Sequence, residues 1–231
     1  MYRPHSLPPL QNPFWVTAAV VQTVNKFRLP AFITRHVLLA LIVGSMAGIG
    51  FMLFLIEFDH MSSTEAFCTT CHSMELVAEP YRQSVHYLPE SGVRASCGDC
   101  HVSEGVLAAS LDHLLGAKDL FAQLFGPDYD DPVINALHLP EAAFAARRWF
   151  KKTDSKTCGR CHIKDAIAGS RPATLSIHLE EAEGKTCVDC HYNLVHRPVP
   201  DEKTFKRDRW NRMIEKEFNL EPGSTDLLLA D

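Results

Sequence analysis

From Val37 to Ile56 the chain runs for 20 residues without a charge. At about 1.5 Å per helical residue such a run covers roughly 30 Å, the hydrocarbon thickness of a bilayer, so it predicts one transmembrane helix. Gly44, Gly48 and Gly50 inside it are ordinary for membrane helices and let a second helix approach. The run starts too far into the chain, and ends on residues too bulky, for a cleaved secretion signal. A shorter apolar run, Phe14 to Val21, suits the plane of a membrane interface or a plain tail. Beyond Ile56 few segments alternate as strands do. Helix-prone patterns return over Val106 to Phe125 and Glu141 to Lys152, separated by turn signals at Gly126-Pro127-Asp128 and Asp130-Asp131-Pro132. The predicted fold is mainly α with little regular structure, one N-terminal transmembrane helix preceding an outer domain.

Charge orients the span. Lys26, Arg28 and Arg35 precede it, and Glu57 and Asp59 follow it. The excess of basic residues marks the cytoplasmic side. The expectation is a single-pass protein of the bacterial inner membrane, with a cytoplasmic N-terminus and everything from His60 onward in the periplasm. A net charge of −5 offers no basic surface to nucleic acid.

The 8 cysteines fall without remainder into four Cys-x-x-Cys-His units: Cys68-Cys71-His72, Cys97-Cys100-His101, Cys158-Cys161-His162 and Cys187-Cys190-His191. In this pattern two thiols bond the porphyrin vinyl groups and the adjacent His ligates iron. Zinc also takes paired thiols, but it does not require a His after each second Cys. The units therefore predict four covalently bound haem c groups. Cys68 to Cys97 and Cys158 to Cys187 have the same separation. Ser84-Val85-His86 precedes the second unit much as Ser176-Ile177-His178 precedes the fourth. The simplest reading is a multihaem domain of two repeated di-haem modules. The division is 1–36 cytoplasmic segment, 37–56 transmembrane helix, 57–125 first di-haem module with its following helix, 126–157 linker helices, 158–200 second di-haem module and 201–231 C-terminal tail. Apolar side chains alone make a thin outer core, so folding is expected to depend on haem.

Four irons need further axial ligands. His86 and His178 hold equivalent repeat positions, and His196 follows His191 closely. His138 is a further candidate, while His60 suits the membrane interface. Met74 follows His72 in the first unit alone, and a Met ligand raises haem potential. That unit is also nearest the membrane.

At these residues the chain resembles the NapC/NirT family of tetrahaem quinol dehydrogenases, which includes membrane subunits of nitrite reductase complexes. The likeness covers roughly residues 30 to 200 and rests on Glu65 to Met74, Tyr81 to Tyr87 and Ser91 to Cys97. The resemblance implies that Met74 replaces His72 on the first haem, whose other face is open to quinol. It implies that His101, His162 and His191 serve the other three haems, with distal ligands drawn from His86, His178 and His196. It places Asp119 at the quinol site, with His113 or Lys118 as basic partner; His113 stands where relatives often have Lys.

The expected function is quinol oxidation, with electrons passed from the membrane quinone pool to a periplasmic multihaem or molybdenum reductase of nitrate or nitrite respiration, in a complex with that partner. The same architecture also suits reverse flow, from a periplasmic dehydrogenase such as hydroxylamine oxidoreductase to quinone. A haem-based sensor is disfavoured because about 36 residues before the span leave no room for a signalling domain. A lone oxyanion reductase is disfavoured because the one haem with an open position lies beside the membrane.

Overall fold

In the computed structural model, residues 31–169 and 171–229 are described; the run Phe14 to Val21 and the residues Lys26 and Arg28 lie outside them. The chain divides into two compact units, residues 1–53 and 54–231. Helix α1, Ala31–Ser62, carries the charge-free run and extends past it at both ends, because no Pro occurs between Ala31 and Ser62. From Phe32 to Ser62 it is long and apolar enough to cross a membrane. Its end is capped locally: the Ser62 hydroxyl donates back to the Phe58 carbonyl at 2.6 Å.

No strand occurs among the described residues. After α1 come α2 (Glu65–Cys68), α3 (His72–Arg82), α4 (Cys97–His101), α5 (Val106–Phe125) and α6 (Pro132–Lys152). Two 3₁₀ turns follow, then α7 (Thr174–Ser176) running into a π turn (Ile177–Glu181), α8 (Cys187–Cys190), α9 (Arg207–Glu217) and α10 (Ser224–Leu228). The linker's second helix starts at Pro132, not Glu141. Asp131 is its N-cap, its carboxylate accepting from Val133 N at 2.7 Å and Ile134 N at 3.0 Å. Pro132 fills the first helical position, where no backbone donor is needed. A sequence that reads as a turn is thus a helix start.

Helix α6 is the organising element, packing against α3, α8 and α9. Leu137 and Ile214 are fully buried, joined by Ala136, Phe144, Val199 and Trp210. Trp210 Nε1 donates to the Ala136 carbonyl at 3.0 Å, which satisfies the indole's one polar group inside this core. Residues read as a tail therefore supply two of its six members, Trp210 and Ile214. Only eleven apolar side chains, Pro140 among them, are buried among the described residues, so the protein component of the core is small.

Candidate haem sites

Backbone geometry sets three of the four Cys-x-x-Cys-His units apart from the first. In the second, α4 itself runs from Cys97 to His101. In the third and fourth, His162 N donates to Cys158 O at 3.0 Å and His191 N to Cys187 O at 2.8 Å. The same turn thus presents each His just beyond its thiols. In the first unit α2 ends at Cys68, the chain turns through Thr69 and Thr70, and α3 starts afresh at His72. Ser73 locks that start. Its N–H donates to Asp130 at 2.8 Å, its hydroxyl to Gln123 at 2.6 Å, and its carbonyl accepts from Asn135 at 3.1 Å. Arg82 ties α3 back to Glu65 at 2.6 Å and also pairs with Glu75. His72 and Met74 are both exposed at this helix start.

The second and fourth units share a local device. Asp99 accepts from Ser96 N at 2.7 Å and Asp189 from Thr186 N at 2.8 Å, each closing a capping box that starts the short helix carrying the thiols. They differ one residue later. Gly98 donates to the Ser63 carbonyl at 3.0 Å, and a Cβ there would lie 2.7 Å from that oxygen. The matching position holds Val188, which is buried.

The thiols form a row. The Cys68 thiol lies beside Cys97, and Cys158 beside Cys187. Between these pairs Cys100 lies within electrostatic reach of Cys158 and Cys161. The four units therefore follow one another in space in chain order. No group of three or more His, Cys, Asp and Glu gathers as a metal centre among the described residues.

The histidines pair across this row. His101 faces His196, His86 faces His162, and His178 faces His191, each at a ring-centroid separation of 6.1 Å. Two imidazoles trans on one metal, with metal–nitrogen bonds of about 2 Å, hold their centroids roughly 6 Å apart. All three spacings match that requirement. Two of the partners are oriented for it. His196 Nδ1 donates to the Val77 carbonyl at 3.0 Å and His178 Nδ1 to Thr174 O at 2.7 Å, leaving Nε2 free in each. His86 Nδ1 is buried without a partner, an orphan that a ligand at this ring would help to explain.

Burial favours the neutral, metal-binding form of these rings. It pulls His101 down to about 4, with His196 adding to the effect, and it lowers His196 and His86 too. His101 nonetheless keeps accessible surface. Around the pairs bare apolar side chains await cover, among them Val85, Leu88, Ile177, Leu179 and Leu194. The residues fit large apolar discs, each ligated from both sides. His138 instead packs edge-on to Tyr129 at 5.4 Å, and His60 lies exposed in the last turn of α1.

The pairing departs from repeat symmetry. His178 meets the His of the unit that follows it, but His86 meets His162, two units on, and His101 meets His196. Two pairs therefore join the first and second halves of the domain.

On α5, His113 Nδ1 donates to the Ala109 carbonyl at 2.9 Å, and Nε2 lies 2.9 Å from the Ser62 hydroxyl, whose one proton serves either Nε2 or the Phe58 carbonyl. Asp59 stands 3.8 Å from Nδ1, and Phe58 packs edge-on to the ring at 5.7 Å. Asp59 and Ser62 carry no sequence signal of a site beyond their place at the end of the span. Lys118 and Asp119 are exposed and are not hydrogen-bonded or ion-paired to His113.

Residues 32–202 match the family described as the NapC/NirT cytochrome c family, N-terminal region. A probable tetraheme c-type cytochrome of Nitrosomonas europaea is 38% identical over 69% of this chain and 69% of its own. The c-type protein NapC of Haemophilus influenzae is 32% identical over 75% of this chain and 86% of its own. The c-type protein TorC of Escherichia coli is 31% identical over 82% of this chain but only 49% of its own, so the chain spans about half of that relative. No solved structure matches the chain significantly. By the extent of the family match and by these relatives, the chain belongs to the NapC/NirT family of cytochromes c, electron-transfer proteins that bear haem c and here carry an N-terminal membrane anchor.

Proposed function

We propose that this protein oxidises quinol at the outer face of the membrane and passes the electrons through four haem c groups to a periplasmic reductase. The observation that carries the reading is the set of three histidine pairs at 6.1 Å beside a first unit built differently. In this reading His101 and His196 hold the second haem, His162 and His86 the third, and His191 and His178 the fourth. Met74 would serve the first, and Cys68, Cys71, Cys97, Cys100, Cys158, Cys161, Cys187 and Cys190 would tether all four. When bound, haem iron takes up and gives up single electrons, a chemistry the protein tunes by ligand and burial.

The chain's own residues handle the protons. Quinol oxidation releases two. The His113 cluster at the end of α1 is equipped for one: Nε2 can accept a proton through the Ser62 hydroxyl, and Asp59 near Nδ1 balances the charge gained. Asp119, on the same helix and without a protein partner, is positioned to take a hydroxyl of the substrate. The periplasmic side follows from the basic residues before the span.

The test is rapid mixing of the oxidised protein, in proteoliposomes, with a menaquinol analogue. Haem reduction is expected on mixing, slowed at least tenfold by Asp119→Asn and by His113→Gln with the four-haem absorbance intact. Unchanged rates in both variants would remove these residues from the site. Haem potentials all well above the quinone couple support this direction of flow; potentials below it support the reverse.

A further inference from the structure

Helix α5 is amphipathic in the opposite sense from a soluble surface helix. Its contacts with the rest of the protein run through Ala109, which is 1% exposed, His113, which bonds Ser62, and Gln123, which bonds Ser73, while Leu115, Leu120 and Leu124 on its flanks are exposed as well. Roughly half a turn around the helix, at steps of three and four, stand Leu107, Leu111, Leu114, Lys118, Phe121 and Phe125. The five apolar members are between 53% and 80% exposed. A surface helix normally turns such a stripe inward, and a contiguous exposed apolar patch marks an interaction surface.

The first haem does not account for this stripe. The first unit approaches α5 from the other side, through Ser62 and Ser73, and the Cys68 thiol donates to the Ser62 carbonyl at 3.9 Å. What α5 does adjoin is the end of the anchor. His113 meets Ser62, Asp59 and Phe58, all in the last two turns of α1. Helix α5 thus lies, at His113, beside the point where the chain leaves the charge-free run. Its single charge is a lysine, whose long stem lies along apolar surface while its ammonium reaches a polar boundary.

We propose that α5 lies in the outer boundary between headgroups and acyl chains, with the Leu and Phe side chains in the acyl layer and Lys118 on lipid phosphates. The argument rests on the anchor and not on quinol turnover. A second consequence is geometric: Asp119, next to Lys118, then stands at headgroup depth, where a membrane-dissolved substrate presents its polar ring.

The test uses the full-length holoprotein in nanodiscs of phosphatidylethanolamine and phosphatidylglycerol. With all eight native thiols bonded to haem, a single added cysteine can carry a benzophenone maleimide, at Leu114→Cys, Phe121→Cys or Phe125→Cys, with Lys203→Cys as the exposed control. Unaltered haem absorbance reports that each variant is folded. Ultraviolet irradiation is expected to give mainly lipid adducts at the three α5 positions, at least fivefold above the control. Adducts no more frequent than at Lys203→Cys, a cross-linked pair of chains, or adducts to the chain's own peptides or haem would each overturn the proposal.

Discussion

The hydrogen bond from His196 Nδ1 to the Val77 carbonyl joins residues 119 positions apart. It ties the ring's rotation to α3, so the helix that begins at His72 also aims the ligand we assign to the second haem. That residue was legible as a candidate because it follows His191 closely. Its partner was not legible, since the pairing with His101 is set by packing of α3, α6 and the C-terminal segment. Replacing His196 with Ala is expected to leave four haems attached and to convert one of three low-spin haems to high spin, read by electron paramagnetic resonance. An unchanged spectrum would sink the assignment. A second residue-scale effect concerns Glu215. Its carboxylate accepts from Thr225 Oγ1 at 2.7 Å and Gly223 N at 2.8 Å, and the Thr225 bond, chiefly, holds its pKa below the usual range. A depressed carboxylate stabilises the fold above the unfolded pKa and loses that contribution as pH falls through the carboxylate range. Docking of α10 is thus expected to loosen below about pH 4.5, seen as faster amide exchange at Ser224 to Leu228. Exchange that stays constant down to pH 3, or a Glu215→Gln variant with the same profile, would contradict this.

Among elements, the span and the helices around it were the most readable, because a 20-residue uncharged run and a 3.6-residue period leave little choice. The start of α6 was misread for a physical reason: Asp131-Pro132 serves equally as turn and as cap with proline at the first position, and only the packing of Ala136 and Leu137 decides. The short helices α4 and α8 depend on their caps instead of on length, since helices of four or five residues have no stability of their own. Thr186→Ala is therefore expected to cost about 1 kcal/mol, visible as a lower denaturation midpoint of the holoprotein. Trp210→Ala, which empties the centre of the protein core, is expected to cost about 3–5 kcal/mol. If Thr186→Ala proved as harmful as Trp210→Ala, the hierarchy of core over cap would be wrong.

For the molecule as a whole, the four units run in spatial order while the histidine pairs cross between its halves. The order places each thiol pair beside the next, and the crossing brings histidines of the two halves together. The internal repeat seen in the sequence is therefore a guide to which histidines matter, not to which belong together; His86 and His178 occupy like positions and serve unlike partners. The small protein core makes the same point in another way, since eleven buried apolar side chains among the described residues are few for an outer domain of this length. The measurement that tests the account most directly is quantitative electron paramagnetic resonance on the oxidised, detergent-purified protein, combined with an iron count. The account predicts four irons per chain, three with bis-imidazole low-spin signals and one distinct from them. Four equivalent signals, fewer than four irons, or zinc in their place would contradict it.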